Sequence, residues 1–378
     1  MYNKIVVASD SFKGSLTSLQ VAQNVERAVC EDYPSCKVVK VNVADGGEGT
    51  MDALQQTLGG RKVTLAVSDP LGRKVDASYV ILDDAVTAVL EMSAASGLPL
   101  LAPEERNPSK TSTLGTGELI CDALAKGCRR FLVGIGGSAT NDAGMGMLHA
   151  LGYRFRDASG KELAPVGGSM IHVASIDASC RLSELSDAEF IVACDVKAPL
   201  YGPDGAAHVF APQKGADKAM VEALDEGLRH FSSVCAKAMG YDCSTLEGSG
   251  AAGGLGYAFR QFLGARLERG VEMVLDAIHF DDMIADADLV ITGEGRVDSQ
   301  TLTGKTPFGV AQRALRQGIS VIAIGGSVAI DKDQAQLAGF KDVLQVTPEG
   351  MPLQEAMKPE VAAENVYRTI KTLLKKYE

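Results

Sequence analysis

Short apolar runs that end in polar, glycine-bearing segments, each followed by a stretch of helical spacing, recur along most of this chain. Residues 5–8 form an uninterrupted apolar run of the kind a strand buried on both faces shows, and the polar segment 10–15 follows it. Thr17 and Gln20 then stand in capping-box relation. Leu19, Ala22, Val25, Ala28 and Val29 recur at helical spacing up to Pro34, which predicts a helix. Apolar residues at 38, 39, 41 and 43 repeat the strand pattern and lead into ADGGEGT (44–50); a second helix closes at Gly59-Gly60.

The pattern changes over residues 62–82, where two β-rich runs flank the turn sequence Asp69-Pro70-Leu71-Gly72 and predict an antiparallel excursion. A helix at about 116–126, a strand at 131–135, the loop GGSATND and another helix follow. Further strands are expected at 190–193, 288–292, 321–324 and 343–346, with helices near 217–239, 254–263, 306–317 and 359–376. Alternation of this kind predicts an α/β protein with mainly parallel sheets. A length of 378 residues exceeds the ~250–300 at which single cores stop growing. The expectation is therefore two α/β domains: a Rossmann-like first domain from 1–66 plus 286–378, and an inserted second domain, 67–285, with the site in the cleft between them.

Composition narrows the function. With 37 basic against 48 acidic residues the net charge is −11, and no basic block occurs, which argues against a nucleic-acid partner held by phosphate neutralisation. No apolar run reaches the ~18 residues of a membrane span, and the N-terminal segment lacks a secretion signal, so a cytoplasmic protein without a membrane partner is expected. Eight scattered cysteines without a CxxC pair read as reduced thiols, and no HExxH motif occurs. Glycine is the outlier, 41 residues in all, against a usual ~7%. Five glycine-rich segments share a look and are read as loops: ADGGEGT, GIGGSATNDAG, GSGAAGGLG, ITGEGRVD and AIGGSV.

In open α/β sheets ligands bind beyond the carboxyl ends of the strands, and there the charged candidates fall. Asp10 and Lys13 follow the first strand, Asp45 and Glu48 the second. Ser138, Asn141 and Asp142 follow the strand ending at Ile135; Asp195 follows 190–193; Glu294, Arg296 and Asp298 follow the strand at 288–292. Crowded carboxylates repel and raise each other's pKa, a cost offset where Mg²⁺ or a cation is bound. Unshielded glycine amides with Lys and Arg suit phosphate oxygens. The combination points to phosphoryl transfer. Two nucleotide signatures come close: residues 299–306 end as a Walker A loop does but begin with Ser299, and Gly134-x-Gly136-x-x-Ala139 matches a dinucleotide fingerprint. An NAD(P)-linked oxidoreductase resting on that fingerprint is one rival reading. A non-catalytic sugar-acid binding protein is another, although such a module needs no surplus of acids.

DSFKGSLT (10–17), ADGGEGT (44–50), GTGE (115–118), GIGGSATNDAGMGML (134–148), ACDV (193–196), PQKGA (212–216), GSGAAGGLG (248–256) and ITGEGRVD (291–298) closely resemble the bacterial type I glycerate kinases over nearly the whole chain. The resemblance implies two α/β domains and ATP-dependent phosphorylation of D-glycerate, with the 2-hydroxyl favoured as acceptor and the 3-hydroxyl as the alternative. It leaves a homo-oligomer open. Role assignments at the family's motif positions follow from phosphoryl-transfer chemistry. Asp195, or failing it Asp10, would take the hydroxyl proton; Asp45 and Glu48 would hold Mg²⁺ directly or through water. Lys13 and Lys214 would neutralise phosphate charge. Gly136, Gly137, Ser138 and Asn141 would offer donors to phosphate or to the glycerate carboxylate, and Arg296 would pair with that carboxylate. Asp142, Glu294 and Asp298 complete the candidates.

Overall fold

The computed structural model describes residues 2–47 and 49–377. In chain order its strands are β1 (Lys4–Ser9), β2 (Lys37–Lys40), β3 (Arg61–Ser68), β4 (Lys74–Ile81), β5 (Thr87–Glu91), β6 (Arg130–Gly134), β7 (Arg154–Arg156), β8 (Ser175–Asp177), β9 (Glu189–Ala193), β10 (Arg266–Glu268), β11 (Leu289–Val297), β12 (Val321–Val328) and β13 (Asp342–Gln345). The chain divides into two compact units. The first comprises Met1–Asp45, Asp52–Thr57 and Val274–Glu378, the second Gly46–Met51 and Leu58–Met273.

The sheet of the first unit is parallel throughout, in the order β13-β12-β11-β1-β2. Its inner strand β1, between β11 and β2, carries the 5–8 run and is buried on both faces, as that run requires. The helix Ser18–Asp32 starts at the Thr17–Gln20 capping box and lays Val21, Ala22, Val25, Ala28 and Val29 onto the sheet. The helix Pro359–Lys376 packs beside it, adding Val366, Ile370, Leu373 and Leu374 to the same core. The expected α/β architecture with mainly parallel sheets is therefore borne out.

In the second unit the sheet order is β10-β9-β6-β5-β4-β3. β3, β4 and β5 are antiparallel, with β3 and β4 joined at the Asp69 turn as expected, and the remaining pairs are parallel. The core is aromatic: the Phe131 and Phe190 rings stack across β6 and β9 with centroids 4.7 Å apart.

Two of the five glycine segments read as loops are strand. ITGEGRVD lies within and just past β11 and AIGGSV within β12, paired through Glu294↔Gly325 and Arg296↔Ser327. The glycines there serve close strand approach instead of turning: a Cβ on Gly293 would stand 2.3 Å from the Ile324 carbonyl oxygen. GSGAAGGLG runs into the helix Ala251–Leu263, with Gly253 and Gly254 at positive φ.

Candidate active site

Within the first unit the carboxyl ends of β1 and β11 open onto a cavity of about 600 Å³. Asp10, Lys13, Asp45, Glu294, Arg296 and Asp298 all line it, as does Lys305. β1 delivers Asp10, whose Oδ1 accepts from the Ser11 amide at 2.6 Å. Burial, and then the charge of Asp45, push the Asp10 carboxyl up, with the Ser11 amide and Lys13 acting the other way. Because β11 runs on to Val297, Glu294 and Arg296 project from an ordered strand instead of a loop. Glu294 is 8% exposed; its Oε2 faces Lys305 Nζ at 3.6 Å, and its Oε1 is buried without a hydrogen-bond partner among the described residues. Burial raises its pKa, the Thr301 hydroxyl and then Lys305 oppose this, and the charges of Asp10 and Asp298 add to it. Arg296 is exposed, with Nε 3.2 Å from Asp298 Oδ2. Asp45 lies half-buried where β2's connection reaches the cavity, and Glu48 lies outside the described residues.

The second unit holds the remaining candidates. Gly136, Gly137, Ser138, Asn141 and Asp142 lie on the connection from β6 to the helix Met145–Ala150, with Gly137 at φ +71. Lys214, at the end of the 3-10 turn Pro212–Lys214, is 1% exposed and donates from Nζ to Ser138 Oγ and to the Thr140 carbonyl, both at 2.7 Å. Burial pushes its ammonium down to about 7. Asn141 is fully buried, and neither its Oδ1 nor its Nδ2 has a partner among the described residues. Asp142, also fully buried, accepts from the Thr113 amide and hydroxyl at 2.8 Å and from the Gly144 and Gly146 amides at 3.2 and 3.1 Å, so its oxygens hold the turn together. Asp195 follows β9, the strand paired with β6 through Ala193↔Gly134. It is exposed, and its Oδ1 accepts from Gly270 N at 3.1 Å, the first residue of the helix Gly270–Ala277.

Sequence reasoning left out Lys305 and Asn365, both of which line the cavity. The Walker-like tail Gly304-Lys305-Thr306 was the available signal for the first, since Lys305 sits at the N-cap of the helix Thr306–Arg316. Asn365 gave none, being one polar position on an amphipathic helix. The dinucleotide fingerprint lacks its helix: the required helix N-terminus does not follow Ala139 but begins at Met145.

Acids, lysines and an arginine gathered at the carboxyl ends of parallel strands define an α/β enzyme built for phosphorylated ligands. The comparisons with known proteins narrow this. A profile described as the glycerate kinase family matches residues 5–378. The chain is 47% identical to a glycerate kinase of Bacillus subtilis (strain 168) over 370 residues, covering 98% of this chain and 96% of the relative. It is 45% identical to the glycerate 2-kinase of Escherichia coli (strain K12), covering 98% and 97%. A crystal structure described as a glycerate kinase 2 from Salmonella typhimurium LT2 superposes with a TM-score of 0.91 at 45% identity, covering 100% of this chain and 98% of that one. The chain belongs to the glycerate kinase family. It is a kinase, and its class draws its phosphoryl group from ATP. No helix among the described residues is long and apolar enough to cross a membrane.

Proposed function

We propose that the protein transfers the γ-phosphoryl group of ATP to the 2-hydroxyl of D-glycerate, giving 2-phosphoglycerate and ADP, in the cytoplasm. The observation that carries the reading is the first unit's cavity, where Asp10, Asp45 and Glu294 stand with Lys13, Lys305 and Arg296. One residue set able to hold both phosphate and a metal is what phosphoryl transfer needs.

The donor set fits Mg²⁺. Among the described residues no group of three His, Cys, Asp or Glu side chains is placed to cage an ion. Mg²⁺ instead takes one or two carboxylates and completes its shell with water and substrate phosphates. Asp45 would hold it, with Glu48 as the further candidate, and Glu294 Oε1, without a partner among the described residues, offers another acceptor. When bound, the ion neutralises charge on the β- and γ-phosphate oxygens.

Lys13 and Lys305 meet phosphate charge from the first unit. Arg296, whose planar fork matches a carboxylate, pairs with that of glycerate after giving up Asp298. On the second unit, Gly136, Gly137, Ser138 and Asn141 supply donors, and Lys214 fixes the turn that presents them. Asp195 accepts the proton of the 2-hydroxyl, with Asp10 the other candidate base. The hydroxyl oxygen bonds to the γ-phosphorus as its bond to the β–γ bridging oxygen breaks and ADP leaves.

Incubation of the purified chain with D-glycerate, ATP and Mg²⁺ should release ADP in a coupled assay, and phosphorus NMR should show a phosphate on the secondary carbon. A primary phosphate signal would transfer the assignment to the 3-hydroxyl. Absence of ADP release dependent on D-glycerate would overturn the reading.

A further inference from the structure

The first unit's cavity has two chemically different sides. Away from the carboxylates and lysines, its wall is built by Val346, Met351, Leu353, Ala356 and Met357. Leu353 is 73% exposed and Met357 38%, so this part of the wall is an apolar rim open to solvent. Met357 reaches across to the segment that carries Lys13: its Cε lies 2.9 Å from where a Cβ on Gly14 would stand. The apolar wall and the phosphate-binding side are thus continuous.

Asn365, on the helix Pro359–Lys376, is set into this wall and is 6% exposed. Its Nδ2 reaches only Met351 Sδ, at 3.6 Å, a weak acceptor, and its Oδ1 accepts no hydrogen bond among the described residues. Gln345, which also lines the cavity, is satisfied: its Oε1 accepts from the Val328 amide and its Nε2 donates to the Thr347 carbonyl. An amide that lines the cavity and has almost no partner among the described residues is available to a ligand there. Glycerate, with three carbons and no apolar face, neither fills 600 Å³ nor gains from thioethers. A nucleotide does both, since its phosphates reach the charged side while its base packs on methionine sulfur and presents an edge that needs a donor and an acceptor.

We propose that the adenine ring of ATP lies against Met351, Leu353 and Met357, and that Asn365 reads its edge. Oδ1 accepts from the exocyclic amino group and Nδ2 donates to the adjacent ring nitrogen, the pairing an amide makes with adenine elsewhere. The inference rests on the ATP-kinase reading above and adds to it the residue that selects the base.

The test is a two-by-two calorimetric measurement on the full chain: wild type and Asn365→Leu, each titrated with ADP and with the diphosphate of purine riboside, which lacks the 6-amino group. Wild type should bind ADP roughly 5- to 150-fold more tightly than the analogue, the range a bidentate amide–adenine pair supports. N365L should bind the two equally, with the glycerate KM unchanged. An unaltered ADP-to-analogue ratio in the variant overturns the inference, whereas a wild type that phosphorylates no glycerate overturns the parent reading instead. Should N365L fail to fold, Met357→Ser on the exposed rim takes its place. ADP affinity should then fall about tenfold or more while inorganic tripolyphosphate binds as before, and unchanged ADP binding counts against the slot.

Discussion

Lys214 Nζ lies 2.7 Å from Ser138 Oγ and donates to it, tying the Pro212 turn to the connection that leaves β6. The Thr140 carbonyl, at the same distance, is its second acceptor, and burial holds the ammonium down to about 7 against an ordinary 10.5. Between those two values the unfolded chain binds more protons at this residue than the folded one, so its contribution makes folding more favourable as pH rises from about 7 to about 10. In Lys214→Met that contribution should vanish, and loss of the shared donor should cost about 1–3 kcal/mol. Urea unfolding of both proteins at several pH values across the window checks the slope. Parallel curves would remove the buried amine from the account.

Glu294 presents the opposite sign. Its folded pKa is raised by burial, so its protonated form is favoured in the native state, and that stabilisation is lost as pH rises through the folded value. Glu294→Gln mimics the protonated form. At neutral pH, without ligands, the variant should melt at a higher temperature than wild type, and the gain should disappear at and below about pH 4, where the unfolded group is also protonated. Kinase activity should fall in the same variant. A variant that melts lower at pH 7 would show that the charged carboxylate is already compensated in the ligand-free protein.

Asp195 is exposed and spends one oxygen on the Gly270 amide. Asparagine can keep that acceptor while losing basicity, so Asp195→Asn should retain the wild-type melting temperature and lose ~10²–10⁴ in kcat, with a smaller effect on either KM. The same substitution at Asp10 serves as the comparison. Near-normal turnover in one variant assigns proton abstraction to the other residue.

Much of the framework was legible because period and punctuation agreed. The 5–8 run became the fully buried β1, the Thr17–Gln20 box became a real cap, and Asp69 formed the expected hairpin turn. The gap lay in glycine. In ITGEGRVD and AIGGSV it permits β11 and β12 to approach closely, yet by composition such segments are indistinguishable from turns. Charged residues at strand ends were equally visible, but their partners were not. Asp142 looked like a cleft acid, whereas its four hydrogen bonds are to its own turn and to Thr113, which stands 29 positions earlier. Asn365 shows the limit most plainly: its significance depends on having almost no partner, and absence of a partner has no signature in a linear string.

The pairing of β1 with β11 joins Ile5 to Leu289. On a ribosome working at 5–20 residues per second, the first strand therefore waits on the order of tens of seconds for its neighbour. Meanwhile every residue from Leu58 to Met273 has emerged and can complete its own sheet. Pairing order therefore departs from chain order, and the apolar faces of β1 stay without their β11 neighbour until the second unit's residues are already made.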